Sequence, residues 1–290
     1  MTHGSHVLVG YDATQESERA LRWAAEEARL RGLPLRVCHA WRWPYPVGYI
    51  DYECMAKVQR IGEHILDRGI ALAHDIAPTV ETQRHLMDGP ADAALMHQAH
   101  GAELIVVGSH DLDELPVGST ALRLPARARR PVVVVRPTGT RSGEVVVGVD
   151  GSAAGDAALA MAFEEAELRG WRVRAVYGCW EPSAARDEDL GLFNDQEKLC
   201  RVCRDRLDRA VAPWRARHPL VEAEAALVVE PPRQALFAAA ETADLVVVGN
   251  RGVGGLEPLA LGATSTALLQ HVPCTVAVVQ AAGQFTVLED

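Results

Sequence analysis

Three glycines, Gly249, Gly252 and Gly262, stand in the spacing G-x2-G-x9-G. An apolar run at 245–248 precedes them, and helix-like sequence at 265–271 follows. Glycines at a strand-to-helix turn let backbone N–H groups come close to an anion. The helix N-terminus behind them adds unpaired donors and the positive end of its dipole. The chemistry suited to such a turn is the holding of phosphate. Gly255 lies in the intervening loop, and Ala263, Thr264 and Ser265 follow the last glycine. Arg251 is the one cation between the first and last glycine, and it reads equally as a phosphate contact or as a solvated surface arginine. A second group, Asp150, ends the run Val145-Val-Val-Gly148-Val. Asp150 is either a ligand for a polar small molecule or the acceptor of the turn that opens the next helix.

The first half of the chain carries a reduced copy of both features. Val7-Leu-Val-Gly10-Tyr-Asp12 matches the run that ends at Asp150. Its loop reads Gly108-Ser-His-Asp111, six further residues, then Gly118-Ser119-Thr120. The middle glycine has become Asp111, and three residues of the loop are gone, a loss of about 10 Å of extended reach. Asp111, Asp113 and Glu114 place three carboxylates where phosphate oxygens would lie. Each such pairing at about 6 Å costs roughly 0.7–3 kcal/mol, depending on the effective dielectric. Asp12, Gly108, Gly118 and Ser119 are therefore the weaker candidates, in a half that reads as structural or differently liganded.

The elements that must position these residues repeat once along the chain. Strand patterns fall at 80–86 and 221–229, at 104–108 and 245–249, and at 132–135 and 276–279, besides those ending at Gly10, Gly148, Trp41 and Trp180. Helical patterns fall between them: Ala-rich segments at 19–31 and 156–169, and short ones at 91–100 and 233–242. A long amphipathic helix in the first half carries Met55, Val58, Ile61, Ile65 and Leu72 at helical spacing. The fourth strands lie 141 residues apart and the fifth 144 apart, so the difference of three falls in the loop after strand four. The boundary is the turn-rich stretch at 137–143, giving domains at 1–139 and 140–290. Strands apolar on both faces and alternating with helices predict an α/β fold, a parallel sheet covered on each side. Right-handed crossovers predict two doubly wound domains, each five-stranded in the order 3-2-1-4-5. In that order ligands bind outside strands one and four, where Asp150 and Gly249 belong.

Composition removes other classes of function. A net charge of −10 argues against nucleic acid or an anionic membrane as partner. Apolar runs are strand-sized, far short of a membrane span. The first residues lack a basic stretch followed by an apolar one. With six scattered cysteines, this predicts a cytoplasmic protein. Cys200 and Cys203 have CxxC spacing, but Leu199, Cys203, Leu207 and Val211 recur every fourth residue, so Cys203 reads as core. His97 and His100 stand three apart on a helical pattern and read as an exposed helix edge, not a metal pair. Neither lysine, Lys57 or Lys198, is near a glycine loop, and there is no GxxxxGK[ST], G-x-S-x-G or HExxH. No catalytic constellation and no metal site are expected, and at most weak hydrolysis of a phosphate held by the loop.

The glycine spacing, with an Asp after strand one, resembles the ATP-binding type of the universal stress protein family, and the resemblance extends along the whole chain as two tandem domains. It implies that Asp150 lies near the nucleoside, and that Gly249, Gly252 and Gly262 close over the ribose and phosphates of ATP, with or without Mg²⁺. The family loop ends in G-[S/T], whereas this chain has Gly262-Ala263, so one hydroxyl is missing; Ser265 matches a further hydroxyl position. An unreplaced hydrogen bond of this kind costs roughly 1.5–3 kcal/mol. The resemblance also implies that the two halves pair through their last strands into an internal pseudo-dimer, with further association into a homodimer. Two functions follow: a stress or dormancy regulator that binds adenine nucleotide in its second domain and acts on an unknown protein partner, or a nucleotide-independent interaction protein of the same fold.

Overall fold

The computed structural model describes residues 5–43, 51–109, 120–137, 142–179, 196–252 and 260–281. The chain divides into two compact units, residues 1–124 with 130–136, and 125–129 with 137–290. In chain order the first half runs β1 (His6–Gly10), α1 (Gln15–Arg31), β2 (Leu35–Trp41), α2 (Tyr52–Ile76), β3 (Thr82–Asp88), α3 (Ala91–Gln98), β4 (Ala102–Gly108), α4 (Thr120–Arg127) and β5 (Val132–Val135). Its strands pair in the order β3-β2-β1-β4-β5, all parallel. The second half runs β6 (Glu144–Gly148), α5 (Ala153–Arg169), β7 (Arg172–Gly178), α6 (Gln196–Arg217), β8 (Ala223–Val228), α7 (Pro232–Ala240), β9 (Leu245–Gly249), α8 (Ala263–His271) and β10 (Thr275–Val279). Its order is β8-β7-β6-β9-β10, again parallel. Both are the expected doubly wound order.

The valine runs explain the centre of each sheet. Val7, Leu8 and Val9 are fully buried, as are Val145, Val146 and Val147 and the facing Val246 and Val247. Residues buried on both faces of a strand fit only a sheet covered on each side. The helices that cover it are closed by local chemistry. Thr14 caps α1 by accepting the Ser17 N–H, and Ser152 caps α5 by accepting the Gly155 N–H. Gly32 and Gly170 end the same two helices in the left-handed region, at φ 65° and 67°. These caps start both helices earlier than apolar periodicity predicts, at Gln15 and Ala153. Among the described residues, no helix is long and apolar enough to cross a membrane.

The stripe expected on α2 is displaced. The buried residues are Gly62, Leu66, Gly69 and Ala73, while Ile61 is 59% exposed. Two glycines lie on this line, and periodicity that counts only large apolar side chains passes over them. At Gly69 a Cβ would stand 2.8 Å from the Tyr11 ring, so the missing side chain lets α2 settle on that ring. On α6 the expected line Leu199, Cys203, Leu207 and Val211 is buried.

Candidate functional site

The second crevice is built outward from β6. The Val149 N–H donates to the Val176 carbonyl, holding the chain against β7 for one residue beyond the strand. Gly151 then turns at φ +77°, a conformation that favours glycine. Asp150 Oδ1 accepts the Ser152 N–H at 2.9 Å. One oxygen of this carboxylate thus serves the turn. The other, Oδ2, faces the glycine loop: a Cβ on Gly252 would lie 2.5 Å from it. A Cβ on Gly155, in the first turn of α5, would lie 2.6 Å from Oδ1. Glycine on both sides gives the half-buried carboxylate its room, and brings the acidic residue and the middle motif glycine together.

The loop is closed at its base. The Asn250 N–H donates to the Val279 carbonyl, and the Asn250 carbonyl accepts the Gly262 N–H at 2.8 Å. Arg251 Nε donates to the Ala260 carbonyl at 3.2 Å, so this guanidinium spans the same base. Gly262 is the N-cap of α8, with no side-chain cap. The N–H groups of Ala263, Thr264 and Ser265 therefore stand in the helix's first turn, where intrahelical partners do not exist. Together with the dipole they present donors to whatever anion approaches Gly262. Ala263 is exposed and Thr264 half-buried.

Two candidates have structural duties. Ser265 is buried, and its hydroxyl donates to the Gly249 carbonyl at 2.7 Å, tying α8 to the end of β9. Gly249 packs against α5: a Cβ there would meet Ala154 Cβ at 2.8 Å and its carbonyl carbon at 2.9 Å. Gly108 does the same in the first unit, where a Cβ would lie 2.6 Å from the Glu16 carbonyl carbon and oxygen. The first motif glycine is thus shared by both crevices because the fourth strand of each unit must approach the helix that follows its first strand. Gly255 lies outside the described residues, as do Gly118, Ser119, Asp111, Asp113 and Glu114.

The first crevice differs at the equivalent atoms. Asp12 Oδ1 accepts both the Thr14 N–H, at 3.1 Å, and the Thr14 hydroxyl, at 2.5 Å. Ser17 occupies the position of Gly155; its hydroxyl accepts the Asp12 N–H and donates to the Thr14 carbonyl. Ala13 takes φ 64° where the second unit has Gly151. A cavity of about 310 Å³ opens here, lined by Gly10, Asp12, Ser17, His39, Leu95 and Thr120 among others. His39 is held by its Nδ1, 2.8 Å from the Tyr11 carbonyl oxygen.

Asn250 was the residue sequence reasoning passed over. It is 2% exposed, its backbone joins both ends of the loop, and its Oδ1 has no hydrogen-bond partner among the described residues. A polar residue locked between two motif glycines was the available signal. His97 is exposed on α3, as expected, while His100, also exposed, lies in the turn beyond the helix's end and not on its edge. Among the described residues, no group of three His, Cys, Asp or Glu is placed to hold a metal ion.

Comparison with known proteins fixes the family. The profile of the universal stress protein family matches residues 5–136 and again 142–280. A universal stress protein of Mycobacterium tuberculosis (strain H37Rv) is 30% identical over 293 residues, covering 95% of this chain and 97% of the relative. A universal stress protein from Archaeoglobus fulgidus has the same fold, with a TM-score of 0.72 at 14% identity, covering 97% of this chain and 98% of that one. A further universal stress protein structure from Archaeoglobus fulgidus, in complex with dAMP, is 27% identical and covers 46% of this chain and 98% of its own, at a TM-score of 0.36. With two successive matches spanning nearly its whole length, the chain belongs to the universal stress protein family as a tandem, two-domain member.

Proposed function

We propose that the chain is a stress or dormancy regulator that binds an adenine nucleotide, ATP, in its second unit. The observation that carries this reading is the seat of the Asp150 carboxylate, with Oδ2 2.5 Å from where a Gly252 Cβ would stand. Any side chain at residue 252 would fill that space. Ribose hydroxyls are the groups that a half-buried carboxylate accepts well, here through the oxygen that faces Gly252. The Gly252 backbone and the first-turn N–H groups of α8 supply the anion-binding side. A divalent ion would arrive on the triphosphate, since among the described residues the crevice offers one carboxylate, Asp150. The role proposed is binding, not dedicated catalysis.

A second reading, a nucleotide-independent interaction protein, draws on Ser265 and Arg251, whose side chains are engaged within the loop. Purification separates the two. The protein isolated from cells is denatured and the supernatant chromatographed. Adenine nucleotide approaching one equivalent per chain supports the binding role. Protein that emerges free of nucleotide and fails to take up added ATP at millimolar concentration contradicts it.

A further inference from the structure

In each unit one outer strand pairs on a single side, β3 with β2 and β8 with β7. On β3 the Glu81 carbonyl accepts the Leu35 N–H, and past its end the Gly89 N–H donates to the Trp41 carbonyl. Backbone groups alternate in direction along a strand, so Gln83, His85 and Met87 also turn theirs to β2. Thr82, Arg84, Leu86 and Asp88 turn theirs outward. On β8 the same alternation, set by the Val173 N–H on the Glu222 carbonyl, leaves Ala223, Ala225 and Leu227 facing outward. Two of those carbonyls are covered from α6: Arg215 donates to Ala223 at 2.7 Å and Arg204 to Ala225 at 2.9 Å. β3 has no such cover. Among the described residues, none makes a hydrogen bond to the outward backbone groups of Thr82, Arg84, Leu86 or Asp88. The strand has seven residues, no proline, no lysine and no shift of register, and none of its residues is buried. A bare edge of this kind is a template for another strand.

We propose that the occupant of this edge is β3 of a second copy of the chain, paired antiparallel about His85, and that this is the interface of a dimer in solution. A two-fold axis through His85 sets Thr82 opposite the partner's Asp88 and Arg84 opposite the partner's Leu86. Outward residues then face outward residues, and each of the four pairs exchanges two N–H···O=C bonds. The side chains suit this reversal. Leu86 points to α2, where a Gly62 Cβ would meet it at 2.7 Å, and Arg84 pairs with Asp67 of α2 at 2.6 Å. Side chains two apart share a face, so Thr82 and Asp88 lie on the same side. There Arg84 stands diagonal to the partner's Asp88, within reach of a long side chain. Within β3 no carboxylate lies opposite a carboxylate and no arginine opposite an arginine. α2 lies over both β2 and β3. Its two copies would run about 10–14 Å apart, outside the about 8–10 Å of packed helices. A two-fold contact uses one patch twice and stops at two chains. The arginines on β8 obstruct the same pairing there.

Sedimentation of the full chain over a range of concentrations, followed by oxidative cross-linking, tests the interface and its register. The expected species is a dimer that dissociates on dilution. Arg84→Pro removes an outward N–H and the arginine while keeping the bonds to β2, a place where an edge strand tolerates proline. It is expected to weaken association at least tenfold with the circular dichroism spectrum unchanged. Ala225→Pro, on the outward side of β8, is expected to leave association within twofold of the parent. A pair of cysteine variants reads the register without the proline. Gln83→Cys and Met87→Cys are made separately, each in a chain whose exposed Cys54 is changed to Ser. These two positions face each other across the axis as a non-hydrogen-bonded pair, with Cα atoms about 4.5 Å apart, inside disulfide range. Mixing the two variants under mild oxidation is expected to give a dithiothreitol-sensitive linked dimer, at least tenfold more than either variant alone. A monomer at every concentration, a dimer broken by Ala225→Pro and not by Arg84→Pro, or a mixture that links no better than its components would each overturn the proposal.

Discussion

Asp12 and Asp150 occupy the same place in two copies of one fold, yet their carboxylates are used differently. In the first unit Oδ1 is taken by two donors of Thr14, and Ser17 stands beside it. In the second, Oδ1 takes a single N–H from Ser152, and glycines at 155 and 252 leave both oxygens clear of any Cβ. Among the described residues, Ser17 against Gly155 and Ala13 against Gly151 are the side-chain differences beside the carboxylate. The acidic residue closes a turn in both units, and in the second its other oxygen faces a glycine loop as well. Position in a repeat therefore does not carry function by itself; the neighbouring side chains decide what a carboxylate is free to do.

The largest predicted effect comes from making the second loop resemble the first. Gly252→Asp copies Asp111 into the second unit and drives a side chain toward Asp150 Oδ2. Two carboxylates about 4 Å apart repel by about 4 kcal/mol at an effective dielectric near 20. ATP affinity is expected to fall at least a hundredfold with the circular dichroism spectrum unchanged. An affinity within threefold of the parent would show that the loop does not hold the ligand.

Next come the glycines that the two units share. Gly108→Ala and Gly249→Ala each push a methyl against the backbone of a neighbouring helix, and overpacking of this kind costs roughly 1–3 kcal/mol. Denaturant titration is expected to show comparable losses for both. A loss at Gly249 alone would point to a role in the second crevice that packing does not explain.

Gly155→Ser gives the second unit the first unit's side chain. Its Cβ would meet Asp150 Oδ1 at 2.6 Å, so the carboxylate must turn away. A loss of about 1.4 kcal/mol, tenfold in ATP affinity, is expected by calorimetry. Ala263→Ser is the smallest change and runs the other way. A hydroxyl at the first position of α8 adds a donor worth about 0.5–1.5 kcal/mol, tightening ATP two- to tenfold. Weaker binding on this substitution would place the phosphates elsewhere.

The sheet order was legible because unbroken valine runs such as Val145-Val-Val and Val246-Val-Val fit only buried parallel strands. The crevice was legible for the same reason, since strand order fixes where Asp150 and the glycine loop emerge. Three things were not. The face of α2 runs over Gly62 and Gly69, and a hydrophobic pattern has no symbol for a contact made by an absent side chain. Gly249 matched a binding motif, while its packing against Ala154 is a requirement of the fold that only a backbone distance reveals. Ser265 matched a hydroxyl position, and its bond to the Gly249 carbonyl depends on how α8 docks on β9. Spacing locates residues along the chain, but which neighbour claims each polar atom is decided in three dimensions.

The central claim is asymmetry: one phosphate-binding crevice per chain, in the second unit. Calorimetric titration of the full chain with ATP and Mg²⁺, repeated on Asp12→Ala and Asp150→Ala, tests it most directly. The account predicts one site per chain, abolished by Asp150→Ala and unaltered by Asp12→Ala. Two equivalent sites per chain, or a single site lost only when Asp12 is changed, would contradict it.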